Sequence, residues 1–271
     1  MKNRGFRYYG IGLSLLLGSS FVAMCQPVNQ NFESTPYTIA NAPLTVKQVV
    51  KRLQEKNAER AAALDSYEVT RVYSMRYSGF PSDRNAEMVV SMVYHAPDSK
   101  QFSVVSQSGS KFIIDHVFKK LLEGEQEAAN EENRQQTALT TENYDFTLAG
   151  YETSADGGRY VLNLTPKTKN KFLYRGKIWV DAKDFAVKQI EGEPGKNPSF
   201  WIKKTDVKHT YVKVGDYWLP AENRTESVIR LGGVAYLSIE YKDYKRLETK
   251  PLPNAKTRER HENDPVAAKA Q

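Results

Sequence analysis

The chain has 271 residues, with 39 basic and 32 acidic side chains for a formal charge of +7, and 40% of its residues are hydrophobic. Its lysines and arginines are spread along the whole length, which argues against nucleic acid as a partner. The single cysteine, Cys25, excludes an intramolecular disulfide and a thiolate zinc site, so stability must come from a hydrophobic core.

Lys2, Arg4 and Arg7 precede an apolar run from Ile11 to Val22, the pattern of a signal peptide over residues 1–25. A bilayer span needs about 20 apolar residues, and no later stretch comes close. Export to the periplasm is therefore expected. Ala23-Met24-Cys25 suits ordinary cleavage after Cys25; the alternative is a protein lipid-anchored through Cys25, against which stands Met24 where a lipobox wants a small residue. Removing Lys2, Arg4 and Arg7 leaves 36 basic against 32 acidic residues, a mild surplus of +4. Residues 26–43 are rich in Asn, Gln, Pro and Thr and read as a disordered linker.

Thr45 and Gln48 form a capping-box pattern, and Val46, Val49, Val50 and Leu53 recur at helical spacing, predicting an amphipathic helix up to Asp65. From Ser66 the period becomes two: Tyr67, Val69, Tyr73, Met75 and Tyr77 alternate with polar residues, and after a turn at Gly79-Phe80-Pro81-Ser82-Asp83 so do Met88, Val90, Met92 and Tyr94. Phe102 with Val104, and then Phe112-Ile113-Ile114, suggest a third and a fourth strand. His116 to about Gln136 lacks both proline and alternation and reads as an inserted helix.

The meander resumes with Tyr144, Phe146 and Leu148, then Tyr160, Leu162 and Leu164 after an Asp156-Gly157 turn, then Phe172 and Tyr174 running into Ile178 and Val180. A tight turn over Asp181–Asp184 leads to Phe185, Val187 and Ile190, a longer loop leads to Val207, His209 and Tyr211, and Gly215-Asp216 and Gly232-Gly233 mark the last two turns. The fold class is mainly β, with about eleven antiparallel strands and no parallel crossover. Residues 44–248 form the folded domain, and 249–271 are expected to be a disordered tail.

Two stretches are specific enough to compare with a family. Gly176-Lys177-Ile178-Trp179-Val180-Asp181, followed by Phe185 and Val187, resembles the Asp-turn hairpin of the LolA-like outer-membrane lipoprotein-sorting family. Gly215-Asp216-Tyr217-Trp218-Leu219-Pro220 resembles a Gly-turn strand entry of that family and of the related MucB/RseB-type lipoprotein-binding regulators. Together with the order of elements, the resemblance spans roughly Leu44 to Arg246. It implies a half-open barrel, a strongly curved sheet whose apolar concave side holds acyl chains and whose mouth is covered by the N-terminal amphipathic helix and the inserted helix. It also implies an acylated lipoprotein or lipid as partner, with an inner-membrane exporter and an outer-membrane acceptor. The alternative is a lipoprotein-sensing module of the MucB/RseB type.

An acyl chain cannot cross water unaided: at about 0.8 kcal/mol per methylene, a chain of some 16 carbons costs roughly 12 kcal/mol. The candidate cavity wall is Val69, Tyr73, Met75, Met88, Val90, Met92, Phe102, Val104, Phe146, Leu148, Leu162, Leu164, Ile178 and Val180, with adaptable methionines on the early strands. The same residues would serve as an ordinary core. Val49, Val50, Leu53, Leu121, Leu122 and Gly124 are the candidate lid, with Gly124 either a hinge or a close-packing point. Phe200, Trp201, Lys203 and Lys204 are a candidate rim for a membrane surface or partner, unless the two aromatics pack inward.

The four histidines have no ligand-like spacing, and there is no nucleophile elbow, phosphate-binding glycine loop or His-Glu-x-x-His pattern. No catalytic, metal or cofactor residue is assigned. Binding rather than catalysis is expected, with an uncharacterised periplasmic hydrolase as the lesser alternative.

Overall fold

The computed structural model describes residues 42–97, 99–128, 131–154, 157–230 and 232–249. The expected signal peptide, nearly all of the expected linker, Asp156 and all but the first residue of the expected tail lie outside the described residues. Ten strands form one antiparallel sheet: β1 (Leu64–Ser78), β2 (Arg84–His95), β3 (Ser99–Gly109), β4 (Tyr144–Ser154), β5 (Gly157–Pro166), β6 (Tyr174–Asp181), β7 (Val187–Pro194), β8 (Ile202–Val214), β9 (Tyr217–Ile229) and β10 (Val234–Thr249). Their order is β3-β2-β1-β10-β9-β8-β7-β6-β5-β4. Two meanders, β1–β3 and β4–β10, are joined by the pairing of β10 with β1.

β3 and β4 follow one another in sequence yet lie at opposite edges of the sheet. At about 4.8 Å per strand spacing a flat sheet of this width would hold its edges some 40 Å apart, so the connection must cross the concave side of a curved, unclosed sheet. That connection contains α2 (Lys111–Ile113), a π-helical turn (Ile114–Phe118), α3 (Lys119–Ala128) and α4 (Glu131–Thr137). Phe112, Ile113 and Ile114 are thus helical rather than a fourth strand. Their β propensity yields to packing: the helix buries Ile113, Ile114 and Phe118 against Tyr73, Ala86, Met88 and Val90.

The N-terminal helix α1 (Val46–Ala63) starts as its sequence dictates, with a complete capping box between Thr45 and Gln48. It buries Val49, Val50 and Leu53 on a second cluster made by Leu162, Leu164, Ile178, Val180 and Ile190. Arg60 fastens it to the β6–β7 turn, donating to the carbonyls of Asp184 at 2.9 Å and Phe185 at 3.0 Å.

The sequence signatures have local reasons. Asp181 Oδ1 accepts the backbone N–H groups of Lys183 and Asp184 at 2.9 and 2.8 Å, closing the turn that puts Phe185 at a positive φ of 47°. Gly176 and Gly192 face each other across β6 and β7, and a Cβ on Gly176 would come within 2.0 Å of the Glu191 carbonyl oxygen. The two family-like stretches meet at Asp184, whose Oδ2 accepts from Trp218 Nε1 at 2.9 Å and Lys213 Nζ at 2.6 Å. Both are structural.

Candidate functional site

Antiparallel partners directly opposite one another share a face. Following the register from strand to strand gives a row of inward positions: Leu148, Leu162, Ile178, Ile190, His209, Asn223, Ile239, Tyr73 and Met88. The next row runs through Gly176, Gly192, Val207, Thr225, Leu237, Met75 and Ala86. Both ends of the first row are covered, one by α1 and the other by the inserted helices, while its middle carries two polar residues.

A cavity of about 330 Å³ lies between the inserted helices and the central strands. Its helical wall is Phe112, Ile113, Val117 and Leu121; its floor is Met75, Leu237, Thr225 and the buried hydrogen-bonded pair Thr205 and Ser227, 3.0 Å apart. The mouth is framed by Phe80, Pro81, Pro198 and Trp201, with Arg84, His116 and Lys120 around it. Tyr77 knits the loops at this end together, donating its hydroxyl to the carbonyls of Phe80 at 2.6 Å and Gly232 at 2.8 Å. Arg230 donates to the Phe200 carbonyl at 2.6 Å and lies over that ring.

Among the fourteen expected wall residues, Met75 lines this cavity. Tyr73, Met88 and Val90 are buried beneath the insert, with Phe102 half-buried at its margin. Val69 and Met92 fill a third cluster near the end of α1 with Tyr67, Tyr217 and Leu219. Leu162, Leu164, Ile178 and Val180 lie under α1, with Phe146 and Leu148 packed at their edge. Val104 is 49% exposed on the edge strand β3. In the lid set, Val49, Val50 and Leu53 are fully packed, whereas Leu121 and Leu122 are half-buried against the insert's cluster. At the rim Trp201 is half-buried, and Phe200, Lys203 and Lys204 are exposed.

Gly124 is not a close-packing point, since a Cβ there would meet nothing within 4 Å. Gly124→Ala should therefore stabilise the protein by about 0.5–1 kcal/mol through helix propensity alone, read as a higher urea midpoint with an unchanged slope.

The residues not anticipated are charged. Arg71 holds an inward position on β1, 2% exposed, and its guanidinium meets Glu125 of α3 with two hydrogen bonds of 2.6 and 3.1 Å. Phe102 and Tyr241 flank it, 5.4 and 4.8 Å from their ring centres, and Lys100 Nζ reaches Glu125 at 2.7 Å. Burial pushes the Glu125 carboxyl up, but Arg71 and Lys100 outweigh it and hold the group below its ordinary range.

His209, at the middle of the apolar row, is pushed by burial from 6.5 to about 4. The folded protein thus binds fewer protons than the unfolded chain between these values, and stability falls as the pH drops from 6.5 towards 4. The full loss from this group is up to about 3 kcal/mol. His209→Gln should flatten that part of the stability–pH curve, measured by urea unfolding at several pH values; an unchanged slope would show that His209 does not contribute.

Among the described residues, no cluster of three or more His, Cys, Asp or Glu could hold a metal ion, and no helix is long and apolar enough to cross a membrane. No protein-family model matches the chain, and no curated protein does. Similar solved structures include a DUF1329 family protein from Desulfovibrio piger, 14% identical with a TM-score of 0.37 over 74% of this chain and 92% of that one. A LolA superfamily protein from Nitrosomonas europaea is 14% identical, TM-score 0.32, over 78% and 96%. The MucA/MucB complex structure from Pseudomonas aeruginosa is 11% identical, TM-score 0.26, over 75% and 100%. What the hollow can bind follows from its own residues.

Proposed function

We propose that the protein is a periplasmic carrier that holds the acyl chains of a lipoprotein or lipid in this hollow and takes them toward the outer membrane. The observation behind the reading is the cavity itself, about 330 Å³ and walled mainly by apolar side chains, within the 300–1,000 Å³ range of small-molecule sites. Its helical wall belongs to an inserted segment and not to the sheet, so chain entry does not require the strands to separate. The mouth suits exchange with a membrane or acceptor: Phe80 is 53% and Phe200 75% exposed, with cationic Arg84, Lys120, Lys203 and Arg230 nearby. An inner-membrane exporter and an outer-membrane acceptor are the expected partners, and no catalytic group is assigned.

The test is to express the full chain, purify it natively from the periplasm and analyse bound small molecules by mass spectrometry after denaturation. Stoichiometric acylated species are expected. A protein that emerges empty and also fails to take up a fluorescent fatty acid or a lipopeptide would end the carrier reading.

A further inference from the structure

Three polar side chains outside the cavity's own lining, two of them at the edge of the cluster under α1, have no hydrogen-bond partner among the described residues: the imidazole of His209 and the hydroxyls of Tyr174 and Tyr211. All three are half-buried, and none of their polar atoms is completely sealed from solvent. They are also close together. The rings of Tyr174 and His209 meet edge-on at 5.2 Å, and Tyr211 follows His209 by two residues on β8 and packs with Tyr174 on the cluster under α1. Asn223, directly opposite His209, gives its amide to the Tyr241 hydroxyl at 3.1 Å, leaving the trio as the available polar surface there.

Polar groups set into an apolar wall lose hydration, and proteins seldom leave them unpaired. Each hydroxyl can donate or accept, and a neutral imidazole does one at each nitrogen. The low pKa of His209 keeps it neutral near pH 7. Arg71, a buried cation on the same face, is already engaged by Glu125. A trio without net charge suits a neutral polar group; a carboxylate or phosphate in the same place would be buried without a free counter-ion. His209 lies one row, about 7 Å, from the cavity floor at Thr225 and Leu237, and the side-chain-free Gly176 and Gly192 stand between that floor row's β6–β7 end and Tyr174. That places the trio where the head of a chain occupying the cavity would lie.

We propose that Tyr174, Tyr211 and His209 form a subsite for the ester or amide carbonyls at the head of an acyl chain, with the chain itself running beneath the inserted helices toward Phe80 and Trp201. The inference rests on the hollow being an acyl-chain site. The ligand class is then a neutral acyl ester or amide, from a glycerolipid or from an acylated protein terminus, in preference to a free fatty acid.

Dioctanoylglycerol and its ether analogue dioctylglycerol differ in the carbonyls alone, and binding of each to the full chain can be followed by titration calorimetry. The ester should bind about tenfold more tightly, and the Y174F/Y211F double variant should lose that preference while still binding the ether as wild type does. Because the two hydroxyls lack protein partners, the variant should keep the wild-type thermal midpoint, and Y174F or Y211F alone can stand in should it not. Equal binding of ester and ether by wild type would overturn the subsite while leaving the apolar cavity intact; binding of neither would overturn the cavity reading and the subsite with it. A diacylated lipopeptide of the same chain length identifies the source: tighter binding than dioctanoylglycerol assigns the carbonyls to a lipoprotein, weaker binding to a glycerolipid.

Discussion

Glu125→Ala should lower the unfolding free energy by about 3–5 kcal/mol, because it leaves the Arg71 guanidinium buried without its counter-ion. For a domain of this size that is a fall in thermal midpoint of roughly 10 °C. Arg71→Met should cost less, since Glu125 keeps Lys100 at 2.7 Å and its side chain is 27% exposed. The R71M/E125L double variant should return to within about 1–2 kcal/mol of wild type, as an apolar pair often replaces a buried ion pair at little cost. Urea unfolding of the four proteins closes the cycle. Equal losses for both single variants, adding in the double, would mean that the two charges are not coupled. The wild-type pair is also acid-labile: with the Glu125 pKa lowered by folding, its contribution is complete above the ordinary carboxylate value and is lost as the pH falls through the depressed one.

Phe118→Ala is the second large effect, with an expected loss of about 3–5 kcal/mol. Phe118 is fully buried, lies 5.8 Å from the Tyr73 ring centre to centre, and anchors the π-helical turn on the sheet beside Met88 and Val90. Its removal opens a void where the insert meets the strands. Limited proteolysis should then show faster cleavage between residues 119 and 137 than elsewhere, because that segment is held to the sheet chiefly through Phe118, Ile113 and the Arg71–Glu125 pair. Uniform acceleration across the chain would instead indicate a global loss of stability.

Much of the architecture could be read from residue patterns. The odd-numbered side chains from Tyr67 to Tyr77 do face inward, the Thr45–Gln48 box does start α1, and the turns at Asp181 and Gly215 stand where expected. Phe112-Ile113-Ile114 misleads because three bulky apolar residues in succession satisfy a buried helix as well as a buried strand; length and tertiary packing decide between them. Arg71 shares the parity of Val69 and Tyr73 and so sits on the inner face, yet a charge in an apolar row reads as an interruption until its partner, 54 residues later, is brought to it. The wall of the hollow was legible only as a face. Period two shows that Leu162 and Ile178 point inward, but not that α1 covers them while Thr225 and Leu237 stay open to the cavity.

The pairing of β10 with β1 also sets the order in which the chain can fold. β1–β3 and β4–β9 can each form as local hairpins, but the seam between them needs Val234–Thr249, the last of the described strands. A chain emerging from its N-terminus therefore holds the β1 and β9 edges open, in addition to the permanent β3 and β4 edges, until its final described residues arrive. A truncation before Val234 would leave the β1 and β9 edges unpaired for good, so such a chain should aggregate on refolding where the full chain does not.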